Sequence, residues 1–240
     1  MSRGLCPVDV TGSRIDDAAA APASATDWAA WHRAYEDPGS SISKRLELVR
    51  RAIGAALDVM TEGSIRLLSI CAGDGRDVIG VLEHHGRARD VEATLVDLDP
   101  GLAATARAAA AVRGLDQVRC VVGDAGRSSW YEAARPIDVL VACGVLGNVS
   151  ADDVRASLRA FGGVVAPGGH VVWTRHRGTP DQTPLIRRWF ADSGFEEVSF
   201  ERVPGSLASV GCHRRSARSM PDQLPDRLFT FSGDGAAAHA

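Results

Sequence analysis

Residues 67–77 read LLSICAGDGRD. The apolar run Leu67, Leu68 and Ile70 predicts a strand. The small residues from Cys71 to Gly75 predict a tight turn, and the residues after them predict a helix. Gly73 and Gly75 carry no Cβ, so the backbone there can take unusual φ values and be approached closely. The first turn of the helix offers free N–H groups and a dipole that favours negative charge. Such a strand–turn–helix unit suits a ligand that lies against the main chain.

The pattern repeats on both sides of this unit. Strands are expected at about 65–71, 92–97, 118–122, 137–143 and 170–174. The fourth is nearly all apolar, as a central strand buried on both faces is. Helices are expected at about 77–85, 102–113, 151–162 and 184–193. Pro167, Gly168 and Gly169 predict a turn before the fifth strand, and two short strands at about 197–203 and 207–213 predict a closing hairpin. Alternating strands and helices imply an α/β fold: a mostly parallel, doubly wound sheet with helices on both faces. In such sheets ligands bind at the carboxyl ends of the strands, near the point where strand order reverses.

Upstream, a helix at about 41–60 places Ile42, Leu46, Val49, Ile53 and Leu57 at helical spacing. A shorter helix is expected to carry Trp28, Trp31 and Tyr35. Four parts are expected: an Ala/Pro-rich mobile segment at 1–26, capping helices at 27–62, the main domain at 63–213 and a polar tail at 214–240. Within that tail, residues 228–231 (LFTF) are apolar enough to dock on the body.

The chain has 240 residues, 27 Lys+Arg and 30 Asp+Glu, for a net charge of −3. This balance contains no basic stripe and argues against nucleic-acid and membrane-surface partners. The five cysteines are scattered, with no C-x-x-C pair and no metal-ligand spacing, so no metal site is expected. Scattered thiols and the lack of a long apolar run predict a reduced, cytoplasmic protein, monomeric or homodimeric.

A dinucleotide fingerprint, G-x-G-x-x-G/A, fails at Val78, which occupies its third glycine position. Asp97 closes the second strand and can accept hydrogen bonds from ribose hydroxyls. Asp124 closes the third and can accept from an exocyclic amine. Two carboxylates at successive strand ends beside a Gly-rich turn form an adenosine-sized constellation.

With these pieces together, the chain resembles the class I S-adenosylmethionine-dependent methyltransferases over about 65–213. The matching stretches are LLSICAGDGRD, TLVDLDP, VRCVVGDA, IDVLVACGVLGNVS and APGGHVVWTRHR followed by WFADSGFEEVSF. The resemblance implies a Rossmann-like seven-stranded sheet whose last strand is antiparallel, with an N-terminal helical cap. It implies S-adenosyl-L-methionine as cofactor and S-adenosyl-L-homocysteine as product. It puts Ala72, Gly73, Asp74 and Gly75 around the methionine part, Asp97 on the ribose and Leu98 beside the adenine. Asp124 and Ala125 fall at the adenine edge, and Cys143 and Gly144 line the cleft after the fourth strand. Two positions depart from the family pattern: Ser69 stands where many members carry an acid, and Cys71 where they carry glycine. Asp74 or Asp77 is expected to supply the missing hydrogen bonding.

The acceptor side is less defined. Trp31, Tyr35, Asn148 and Arg175 are candidates for substrate binding, and His32, Tyr35 and His176 for a proton-transfer role. Each also has a bland reading, as a packed aromatic face, a turn cap or a solvated loop. Trp130 and Tyr131 either flank the adenine or pack in the core. A sulfonium methyl donor needs mainly alignment and exclusion of water, so no dedicated base is required for a phenol or carboxylate acceptor. The expected reaction is methylation of an O, N or C atom of a small molecule. An aminopropyl transferase, an NAD(P)-dependent oxidoreductase and a non-catalytic S-adenosylmethionine-binding protein remain as alternatives.

Overall fold

The computed structural model describes residues 35, 37–216 and 223–231. One seven-stranded sheet organises them, in the order β3-β2-β1-β4-β5-β7-β6. The strands are β1 (Ile65–Ile70), β2 (Val91–Asp97), β3 (Val118–Val122), β4 (Ile137–Ala142), β5 (Val165–His176), β6 (Phe195–Arg202) and β7 (Ala208–Arg215). All pairings from β3 through β5 are parallel. The last strand, β7, runs antiparallel to both β5 and β6. Strand order reverses between β1 and β4, so the carboxyl ends of these two strands frame the crevice.

The helices are α1 (Ser41–Asp58), α2 (Arg76–Leu82), α3 (Pro100–Val112), α4 (Ser129–Ala134), α5 (Ala151–Val164) and α6 (Thr183–Asp192). Local chemistry fixes several starts. The Ser40 and Ser150 side chains accept from the N–H groups of Ser43 and Asp153, and Asp99 caps α3 ahead of Pro100. Alternation along β1 splits the core in two. Leu67 packs with α1, α2 and α3 on one face, and Leu68 and Ile70 pack with α5 and α6 on the other. Trp173, Tyr131, Phe161 and Phe190 fill the second face.

Two strand bounds differ from expectation. β5 starts at Val165 rather than about 170, and the irregularity expected at Pro167–Gly169 lies inside it: Gly168 takes φ +83, and the register against β4 jumps from Ile137–Val165 to Val139–His170. The last strand extends two residues past 213, to Arg215. Residues 129–134, for which no element was expected, form α4, a helix too short to show periodicity. Residues 228 and 229 dock as the apolar tail suggested, both buried against the second core. The expected Trp28/Trp31 helix lies outside the described residues, apart from Tyr35.

Candidate active site

β1 ends in a turn whose shape its sequence requires. Cys71 takes φ +53, the one non-glycine residue with positive φ among those described, and Gly73 and Gly75 follow at +57 and +69. A Cβ added to Gly73 would meet nothing within 4 Å. A Cβ on Gly75 would lie 2.6 Å from Leu95 and 2.9 Å from Ile79. The two glycines therefore do different work: Gly73 keeps a face of the turn open, and Gly75 lets α2 pack on the sheet.

Asp97, at the end of β2, locks this turn. Its Oδ2 accepts from the Gly73 N–H at 2.7 Å and its Oδ1 from the Asp99 N–H at 2.9 Å. Its carbonyl accepts from the Gly123 N–H at 2.8 Å, and Ala72 N–H donates to Val96 O at 3.1 Å. The ends of β1, β2 and β3 are thus tied at one residue, the first through its carboxylate and the third through its main-chain carbonyl. Each carboxylate oxygen has a second lone pair, so Asp97 keeps acceptor capacity for a ligand hydroxyl. Leu98 follows and is 70% exposed, a large apolar side chain left at the rim.

Asp124 follows β3. Its Oδ1 accepts from the Gly126 N–H at 2.9 Å, and its Oδ2 from Arg227 at 2.6 Å. The Arg227 guanidinium holds this carboxyl below the usual carboxylate range. Ala125 is buried. Tyr131 is fully buried and donates its hydroxyl to Ala125 O, while the Trp130 indole donates to Asp124 O. Both aromatics anchor the loop, with Tyr131 in the core.

The missing family acid leaves a mark. The Ser69 hydroxyl is buried without a hydrogen-bond partner. Asp74 supplies a bond within the turn: its Oδ1 accepts from the Arg76 N–H at 3.3 Å, and it pairs with the Arg76 guanidinium, which lies 3.9 Å above the Tyr35 ring. Asp77, in the first turn of α2, accepts from the Val78 N–H, and burial pushes its carboxyl up. Tyr35 also meets Arg45, which donates to its hydroxyl at 3.3 Å. Burial raises the Tyr35 phenol above its ordinary value.

After β4, Cys143 is desolvated and its thiol pushed well up. Gly144 takes φ +73, and its N–H is received by the buried Thr174 hydroxyl at 2.9 Å. Asn148 donates to Gly144 O at 2.6 Å, the turn-capping role. At the end of β5, Arg175 donates to the Leu146 carbonyl and to Gln182 Oε1. Burial lowers its pKa. A small cleft here is lined by Arg45, Gly144, Gly147, Thr174, Arg175, His176 and Ala208. The structure therefore brings Tyr35, Arg45, Arg175 and His176 to the same end of the sheet as the donor candidates. Trp31 and His32 lie outside the described residues. Sequence reasoning missed Arg45 and Arg227; neither sits in a motif, and each reaches the site only through tertiary packing.

This geometry defines an α/β protein with a nucleoside-type crevice at the reversal of its sheet. Residues 68–171 match the family model described as a methyltransferase domain. That stretch runs from β1 into β5 and contains the glycine turn, Asp97, Asp124 and Gly144. Over that stretch, 104 of its 240 residues, the chain is similar to a methyltransferase domain. Solved structures share the fold at low identity. A TehB-like SAM-dependent methyltransferase from Corynebacterium glutamicum is 20% identical, with 79% of this chain and 96% of that one covered and a TM-score of 0.52. The magnesium protoporphyrin IX methyltransferase of Synechocystis with bound SAM is 12% identical, with 79% and 91% covered and a TM-score of 0.60. The [4+2]-cyclase SpnF is 17% identical, with 70% and 81% covered and a TM-score of 0.50. No curated protein matches the chain in sequence.

Proposed function

We propose that the chain transfers a methyl group from S-adenosylmethionine to an O, N or C nucleophile of a small-molecule acceptor. The observation that carries this reading is the tie between Asp97 and Gly73, which sets an open glycine face beside a carboxylate at the end of the neighbouring strand. When bound, S-adenosylmethionine supplies an electrophilic methyl on a positively charged sulfur. Gly73 leaves room for the methionine part against the turn, between Ala72, Asp74 and Gly75. Asp97 receives the ribose hydroxyls, Leu98 covers one adenine face, and Asp124 and Ala125 meet the adenine edge. Cys143 and Gly144 wall the cleft where acceptor and donor meet. These groups hold the partners in line and exclude water, the main requirements of the displacement.

We assign the acceptor site to Tyr35 and Arg175 with Arg45, with Asn148 capping the turn at its edge, and add Trp31, which lies outside the described residues, from the sequence alone. The raised phenol keeps Tyr35 protonated at neutral pH, which suits it to donating a hydrogen bond rather than accepting a proton. His176, and His32 upstream, are then the side chains that can take a proton where the acceptor holds one tightly. Among the described residues, no Asp or Glu lines the cleft of Arg45, Arg175 and His176. An acceptor bearing a carboxylate or phosphate suits that cleft. An acidic overall balance and the lack of a basic stripe fit a small molecule better than nucleic acid. The four described cysteines are free.

Titration calorimetry with S-adenosylmethionine, its decarboxylated form and NADH tests the donor. Heat is expected with the first and with S-adenosylhomocysteine; absence of both overturns the reading. Release of S-adenosylhomocysteine with a panel of anionic small molecules then separates an enzyme from a protein that only binds the donor.

A further inference from the structure

The C-terminal segment 223–231 lies outside the stretch that matches the methyltransferase family, yet it reaches the donor side of the sheet. Leu228 and Phe229 are 2% and 1% exposed, and they anchor it in the second core. Leu228 N–H donates to Gly126 O at 2.8 Å. The Ser128 N–H and hydroxyl both donate to Asp226 O at 3.1 Å. Ser157 and Asp153 of α5 hold Leu228 O and Thr230 N from the other side. A Cβ on Gly126 would lie 2.3 Å from Phe229 O, so the loop after β3 is glycine where the segment presses on it.

We propose that Arg227, carried on this segment, is a positioning residue of the donor site that fixes the Asp124 carboxylate toward adenine. The proposal rests on the reading of Asp124 as the acceptor for the adenine 6-amino group. Arg227 Nη2 donates to Asp124 Oδ2 at 2.6 Å, and its Nη1 donates to Phe229 O at 3.2 Å. The Gly126 N–H takes Oδ1. A carboxylate offers about four lone-pair directions; these two bonds set its plane and leave the remaining directions for the ligand. The two side chains are 40% and 33% exposed, so the pair adds little to stability by itself. Its effect is on orientation, and it strengthens when a bound adenosine excludes water from the carboxylate.

The test uses the full chain and two ligands that differ at one position of the base: S-adenosylhomocysteine, and S-inosylhomocysteine, in which an oxo group replaces the 6-amino group. The protein as it stands is expected to prefer the adenine ligand in calorimetry. Arg227→Met should shrink that preference about tenfold, mainly through weaker binding of the adenine ligand, the scale of one partly exposed charge-assisted hydrogen bond. Arg227→Lys should restore most of it, and Arg227→Met should change nothing further in an Asp124→Ala background, where no side-chain acceptor is left. Arg227→Gln replaces the Met variant if thermal unfolding shows that one is not folded. An unchanged preference in the Met variant overturns the proposal, as does an equal loss for both ligands or a full loss persisting beside Asp124→Ala; each makes Arg227 a fastener of the tail only. Asp124→Ala with Arg227 intact reads the underlying assignment separately. Wild-type preference there removes the adenine role of Asp124 itself.

Discussion

Gly73 and Gly75 stand two residues apart in one turn, both at positive φ, and replacing each with alanine should separate binding from stability. At Gly75 the new methyl would sit 2.6 Å from Leu95 Cδ2 and 2.9 Å from Ile79 Cδ1, inside a packed core. The left-handed backbone costs a non-glycine residue about 1–2 kcal/mol, and overpacking adds about 1–3 kcal/mol. In a chain of this size, each kcal/mol lowers the unfolding temperature by roughly 2–4 °C. Gly75→Ala should therefore unfold on the order of 5–15 °C early. At Gly73 the backbone penalty is the same, but the methyl meets no atom of the described residues within 4 Å, its chain neighbours aside. It would occupy the face proposed for the donor.

One assay reads both effects: thermal unfolding with and without S-adenosylhomocysteine. A ligand at about 100 times its Kd adds about 2.7 kcal/mol, several degrees in unfolding temperature. Gly75→Ala should start lower and keep most of that ligand-induced rise. Gly73→Ala should start within a few degrees of the parent and lose the rise. A Gly73→Ala protein that keeps the full rise would falsify the placement of the donor on this turn. A Gly75→Ala protein as stable as the parent would refute the packing argument.

Asp97→Ala should weaken S-adenosylhomocysteine binding by about 1–3 kcal/mol, because ribose hydroxyls and the Gly73 N–H lose their acceptor; calorimetry giving the parent's affinity would move the ribose elsewhere. His213 accepts from the Trp173 indole through Nδ1 and stacks on Phe190, and burial pushes its pKa down to about 4. Unfolded histidine titrates near about 6.5, so between these values the unfolded chain binds more protons and stability falls as pH drops from 6.5 toward 4; chemical denaturation of His213→Phe across that range should show a flatter profile. Phe229→Ala should cost about 3–5 kcal/mol by emptying a buried site under the docked tail, read as a lower denaturation midpoint; a surface-like loss below about 0.5 kcal/mol would mean the tail is not part of the core.

What the sequence disclosed follows the range over which its physics acts. The turn 71–75 and the strand ends at Asp97 and Asp124 are set by neighbours a few residues away, so they can be read from composition and spacing. The glycine requirement at 73 and 75 is of this kind, and both positions adopt the positive φ their composition permits. α4 was not readable because six residues show no periodicity; its Tyr131 is fixed by a core and its Trp130 by the Asp124 carbonyl. The irregularity expected at Pro167–Gly169 was legible because Pro and a left-handed Gly act locally, while its placement inside β5 was not, since only the pairing of Val165 with Ile137 carries the strand back beyond it.

The acceptor side was least legible for the same reason. Arg45 arrives on α1, Tyr35 from before it, Gly144 after β4 and Arg175 at the end of β5, so their neighbourhood exists only once the sheet has formed. Asn148 shows how such a residue resists a sequence reading. A capping amide and a substrate-binding amide are the same chemistry in one dimension, and only the 2.6 Å bond to Gly144 O reveals the cap. Arg227 lies 103 residues from Asp124 in sequence, in a tail whose composition suggested docking but not where the docked segment would place a charge. The donor half is therefore built from short-range motifs around a strand-end crevice. The groups proposed to select an acceptor, and Arg227 beside Asp124, come from distant segments whose chemistry is defined only by what they meet.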